Sequence, residues 1–296
     1  MSGKSSKWLM GCGIGCGSVI LLAVLVVAAG YFLIKNTVDD VRQIEASKER
    51  LEESYGLVED YVPELDGRIP PERIEVFLAI RESLKEKQEG LESRLEKIGK
   101  DVDRIEDEDR SIRRILGIVR RGVGAVPEII EYYSDRNEAL LDEGMGIGEY
   151  YYLYVVAYYS WLGKNPEDGP RFNLAGDNRE WRGRRYDDDD GKRRRYSDDV
   201  REERRYRIVQ SARRMFLHIL RRQLDEMKDG SPMRTNRSWR RALETEIQAL
   251  EEDRDRLPWQ DGLPRTLTSS LESYRERLEE SYSALLNPLE LLTIEE

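Results

Sequence analysis

The side chains best suited to chemistry are few and badly placed for it. His218 is the one histidine in 296 residues, so histidine acid–base catalysis hinges on one position and multi-histidine metal sites are excluded. At helical spacing it shares a face with Ser211, Arg214, Arg221 and Asp225, which predicts a solvated polar stripe. The run Tyr186-Asp187-Asp188-Asp189-Asp190-Gly191 has the outline of a calcium loop. With Gly191 at the sharp sixth position, however, Tyr186 falls first and Ser197 twelfth, and both required carboxylates are missing. Cys12 and Cys16, the two cysteines, sit in an apolar stretch, which leaves the rest without a disulfide framework or a thiolate metal site. Neither a phosphate-cradling loop nor a nucleophile elbow nor a zinc-protease helix is present. The expectation is a non-enzymatic chain with no cofactor and no metal.

One segment still carries binding potential. GEYYYLYVVAYYSWLG holds Tyr150, Tyr151, Tyr152, Tyr154, Tyr158, Tyr159 and Trp161, aromatic or apolar on every face. It is shorter than the about 20 residues a membrane crossing needs. The pattern predicts a central buried helix whose phenols find polar partners at its edges, with an aromatic ligand surface built on Tyr150, Tyr151, Tyr154, Tyr158 and Trp161 as the alternative.

The elements around it begin with a membrane anchor. Residues 8–34, WLMGCGIGCGSVILLAVLVVAAGYFLI, carry no charge; as a helix they would reach about 40 Å, against a hydrocarbon layer of about 30 Å. Trp8 and Tyr31, with Lys7 and Lys35 beside them, suit the two headgroup levels. Gly11, Gly13, Gly15 and Gly17 give small-xxx-small spacings through which two anchors could pack as a homo-oligomer. Lys4 and Lys7 before the span are outnumbered by basic residues after it, so orientation is taken from the short N-terminal tail, which places the large domain outside the cytoplasm.

The run Lys7-Trp8-Leu9-Met10-Gly11-Cys12-Gly13-Ile14-Gly15-Cys16-Gly17 ahead of an aliphatic stretch resembles the anchors of uncharacterised bacterial single-pass membrane proteins. Weaker echoes lie in Trp259-Gln260-Asp261-Gly262-Leu263-Pro264 and Ser273-Tyr274-Arg275-Glu276-Arg277. The resemblance implies a bacterial inner-membrane protein and brings no activity with it.

Beyond the anchor, Val41, Ile44, Leu51, Tyr55, Val58 and Val62 predict a membrane-proximal helix ending near Tyr61. Ile69-Pro70-Pro71-Glu72 reads as a helix entry. Then Phe77, Leu84, Leu91, Ile98, Ile105, Ile112 and Val119 recur every seventh residue, predicting a long coiled-coil-like helix with a break near Gly99. Arg81, Gln88 and Asp109 interrupt its second row.

The whole reads as all-α, an N-terminal transmembrane helix followed by a helical bundle. Residues 1–7 form a polar tail, 8–34 the anchor, 35–62 the proximal helix, 63–163 the heptad and tyrosine helices, 164–199 a charged mobile loop, and 200–296 a C-terminal helical region packed on the rest. Charged residues make up 36% of the chain and the net charge is -10, which argues against nucleic acid as a partner. The leading functional expectation is a membrane-anchored scaffold or adaptor engaging proteins through helix faces. A ligand-binding or sensor module built on the tyrosine helix is the alternative, and an unrecognised hydrolase comes third.

Overall fold

A computed structural model describes residues 46–107, 129, 131–169, 190–229 and 237–289. Every regular element among them is helical, and no strand occurs. The anchor at 8–34 with Gly11, Gly13, Gly15 and Gly17, the heptad positions Ile112 and Val119, and the aspartate run at 187–189 lie outside the described residues. Among the described residues no helix is long and apolar enough to cross a membrane.

Helix α1 covers residues 46–55 and a short 3-10 turn follows at Val58–Asp60. The proximal helix therefore stops short of Tyr61, because the Gly56 N–H closes it on the Glu52 carbonyl at 2.8 Å and turns the chain. Helix α2 (Pro71–Ser83) starts with proline in its first turn, where the missing N–H breaks no bond. Helix α3 is Lys85–Asp107. The single long heptad helix is thus corrected to two helices meeting at Leu84. No break falls at Gly99, which lies within α3. Phe77, Leu84 and Leu91 are all buried in the chain's own core, so this part of the row is spent internally rather than offered as a coiled-coil seam. Ile98 and Ile105 belong to α3 as well.

Helix α4 covers residues 131–142, and α5 (Ile147–Tyr154) runs on into a π-helical stretch, Val155–Trp161. Helix α6 is Asp190–Asp229 and α7 is Arg237–Glu252. The stretch 190–199 is thereby helical and not loop, since beyond Gly191 it holds neither glycine nor proline to stop a turn. Leu267, Leu271, Tyr274, Leu278 and Tyr282 stand at helical spacing and predict one C-terminal helix, but the segment is divided: α8 (Arg265–Leu271), a 3-10 turn (Glu272–Tyr274) and α9 (Arg275–Glu280).

The layout follows from α5. With no polar face it needs partners on every side, and it has them. Phe77 of α2 lies 5.3 Å from the Tyr150 ring, Phe216 of α6 stacks on Tyr152 at 5.3 Å, and Tyr61 reaches Tyr152 at 5.5 Å. From α4, Arg136 meets Tyr151, and from the C-terminal segment Tyr282 packs on Tyr158 at 5.1 Å. Polar ties fix the outer helices. Asn137 donates to Ser47 at 3.0 Å, Lys87 pairs with Asp135, and Arg73 clamps Glu149 through two hydrogen bonds of 2.7 and 2.5 Å.

A second cluster joins α7 to its following loop. Glu246 is buried, and its carboxylate accepts the Trp259 N–H at 2.7 Å while Arg256 lies 3.5 Å away and also pairs with Asp261. Burial pushes the Glu246 carboxyl above its ordinary range, and the Trp259 N–H and the Arg256 charge only partly offset this. Since the folded-state value exceeds the unfolded one, the folded chain holds the extra proton between the two. Stability then rises as pH falls through the folded value and levels off near the ordinary glutamate range, about 4.3. The Glu246→Gln variant keeps an acceptor for Trp259 without titrating. Urea midpoints should show wild type gaining on Glu246→Gln between pH 7 and pH 5; a constant or widening deficit would refute the assignment.

Candidate ligand cleft beside a tyrosine cage

Arg81 stands on α2 at a position that heptad spacing reserves for an apolar side chain, and it is 2% exposed. Burying a guanidinium is costly unless its charge and donors are met. Among the described residues no carboxylate forms an ion pair with it. Instead its Nε and Nη2 donate to the Ser281 carbonyl, the former at 3.1 Å, and Nη1 donates to the Tyr150 hydroxyl at 3.3 Å. Its guanidinium carbon lies 5.6 Å from the ring centres of both Tyr154 and Tyr158. Ser281 is the C-cap of α9, so the cation meets carbonyl density at the negative end of a helix, together with two π faces.

A second guanidinium repeats the arrangement on α4. Arg136 is buried, donates to the Tyr151 hydroxyl at 3.1 Å and to Asn137 Oδ1 at 2.7 Å, and lies 5.1 Å from the centre of the Tyr133 ring. Tyr132, also buried, feels both cations; burial raises its phenol to about 12 against their pull. Burial likewise raises Tyr154 and Tyr158. These three phenols stay neutral at physiological pH.

The π-helical turn arranges the rings. Its wider register is held by the Leu162 N–H on the Ala157 carbonyl at 3.0 Å and by Ser160, whose hydroxyl donates to the Val155 and Pro258 carbonyls. Tyr154 thereby meets Tyr158 at 4.6 Å and Tyr159 at 5.6 Å. Tyr158 shares a 2.7 Å hydrogen bond with the Ser281 hydroxyl. Among the described residues, the buried hydroxyls of Tyr152 and Tyr154 have no hydrogen-bond partner.

Beside Arg81 the surface folds into a cleft of about 300 Å³ between the α2–α3 elbow and the end of α9. Arg81, Lys85, Gln88 and Glu92 line one wall, and Arg277, Glu280, Ser281 and Tyr282 the other. Gln88 donates to Glu92 at 3.1 Å, and Ser283 donates to the same carboxylate oxygen. Tyr282 donates to Asp168 at 2.8 Å, and burial with that carboxylate lifts its phenol well above the usual range.

Of the residues singled out by sequence, Tyr150, Tyr151, Tyr154 and Tyr158 are at most 2% exposed and Trp161 is half-buried, with Arg275 over its ring at 4.2 Å. None of the five lines the cleft; Tyr150, Tyr154 and Tyr158 touch it through Arg81, and Tyr158 also through Tyr282. His218 is exposed on α6, and its expected neighbour Ser211 is buried rather than on the polar stripe. Among the described residues no group of three or more His, Cys, Asp or Glu is placed to hold a metal ion. Arg81 and Gln88 had registered in the sequence only as defects in a hydrophobic row, and Arg136 and Ser281 not at all. A polar residue at an apolar heptad position was the available signal.

Comparison of the chain with protein-family models, curated proteins and solved structures returns no match.

Proposed function

We propose that this chain is a ligand-binding or sensor module, not an enzyme, held at a bacterial inner membrane by residues 8–34 with its helical domain outside the cytoplasm. What carries the reading is Arg81: a buried cation without a carboxylate partner among the described residues, forming part of a cleft wall and joined to the tyrosine core through Tyr150. An occupant of the cleft would act directly on the contacts between α2 and α9, a route from binding to the packing of the domain. The test is a thermal-shift screen of the full chain against cell-envelope extracts. A fraction that raises the unfolding temperature should lose its effect in a Lys85→Met/Glu89→Gln double variant, both side chains being exposed. Equal shifts in both proteins, or no shift from any fraction, would remove the reading.

The adaptor reading keeps one observation of its own. Tyr55, Leu57 and Leu65, close together in the chain, are 41%, 53% and 40% exposed, which is apolar surface available to a protein partner. In-cell photocrosslinking from position 57 would yield one recurrent adduct on this reading and only uncrosslinked monomer if it fails.

A further inference from the structure

We infer that the cleft takes short zwitterionic peptides, with the peptide's carboxylate held at Arg81 and Lys85 and its ammonium group at Glu89 and Glu92. This rests on the ligand-binding reading and gives its ligand a chemistry.

The inference comes from the order of charges along the walls. The two walls run side by side in the same direction: Arg277 bonds Glu75 and Glu82 at 2.7 and 3.0 Å, the Ser281 carbonyl accepts from Arg81, and Ser283 reaches Glu92. Arg277 is therefore already matched by two acids. What remains on the elbow wall, once Glu82 is taken by Arg277, is cationic first, Arg81 and Lys85, and anionic one to two turns later, Glu89 and Glu92, with the acid Glu280 on the facing wall. A cleft ordered in this way is a poor site for a simple anion or a simple cation, because each would meet repulsion at one end. A molecule carrying both charges finds an opposite charge on the elbow wall at each end.

The donors and acceptors are there to be used. Arg81 has five N–H groups and makes three hydrogen bonds. Lys85 and Glu89 form no ion pair among the described residues, although they stand four apart; lysine before glutamate is the less favourable order for such a pair. The bonds to Glu92 from Gln88 and Ser283 both fall on its Oε1, which leaves the second oxygen for an ammonium group.

Length then narrows the class. Four residues of helix separate Lys85 from Glu89, about 6 Å. The two charges of a single α-amino acid are only about half that distance apart, whereas two or three extended residues at about 3.3–3.6 Å each place their termini about 7–10 Å apart. A cleft of about 300 Å³ has room for such a chain.

The probes are alanyl-alanine and trialanine, their C-terminal amides, their N-acetyl forms, free alanine and phosphoethanolamine, titrated by calorimetry into the full chain in detergent micelles. Unblocked peptides should bind, and either block should weaken them about tenfold. Lys85→Met should weaken the unblocked peptide yet leave the C-terminal amide unaffected, and Glu89→Gln should do the same for the N-acetyl form. Equal binding of blocked and unblocked peptides overturns the inference, and so does binding of phosphoethanolamine or alanine in preference to peptides. An envelope extract that stabilises the chain while no peptide binds also sinks it, but spares the ligand-binding reading; silence from both removes the two together.

Discussion

Replacing Arg81 by leucine lowers the thermal unfolding midpoint of the full chain by roughly 6–12 °C, corresponding to about 3 kcal/mol in a domain of this size. Two effects compete. The guanidinium was costly to take out of water, and a leucine recovers that cost, as apolar replacements of buried ion pairs often do. Here, however, only one side of the arrangement is removed. The Ser281 carbonyl and the Tyr150 hydroxyl are left without their donor, and two ring faces lose a desolvated cation worth on the order of 2 kcal/mol each. Arg81→Lys separates the contributions, because an ammonium group keeps the charge but cannot reach the carbonyl and the phenol with one planar fork. It should fall between wild type and the leucine variant. Circular dichroism melts measure all three. A leucine variant that melts with wild type would mean that the cage tolerates the arginine rather than depending on it.

That dependence also marks the boundary of what the chain revealed before its fold was known. The helical class was legible because the apolar residues of the described region recur at helical intervals, and the run from Tyr150 to Tyr159, too short to span a bilayer, read as a buried helix with a ligand surface as the alternative. Helix ends were legible where one residue dictates them, as proline does at the start of α2. They were lost where tertiary contacts decide. Nothing in the periodicity from Leu267 to Tyr282 announces the 3-10 turn at Glu272–Tyr274 that separates α8 from α9. The cleft was illegible for the same reason. Arg81 and Ser281 are 200 positions apart, and the meaning of a guanidinium at an apolar heptad position exists only once the C-terminal segment has folded back over it. Sequence periodicity registers such a residue as a fault in a stripe, because it records which face is buried and not which polar groups that face will meet.

Gly67→Ala should cost about 3–5 kcal/mol, or roughly 6–20 °C in the midpoint, through two additive causes that a second glycine can separate. Gly67 closes a turn on the Glu64 carbonyl with φ 75°, a left-handed conformation that costs an L-residue about 1–2 kcal/mol. A β-carbon there would also stand 2.2 Å from Trp239 Cδ2, well inside contact distance. Trp239 has little room to yield: it is 1% exposed and its ring packs 5.8 Å from that of Trp259. Gly163 provides the contrast, since its φ is 63° but no atom lies within 4 Å of an added β-carbon. Gly163→Ala therefore carries the conformational cost alone, about 1–2 kcal/mol or roughly 2–8 °C. The gap between the two midpoints isolates the clash, and a shift in tryptophan emission confined to Gly67→Ala would place that clash at the Trp239–Trp259 pair. Two variants that melt together, with unchanged emission, would mean that the turn at Gly67 does not rest on Trp239 and that the loop over α7 is held from elsewhere.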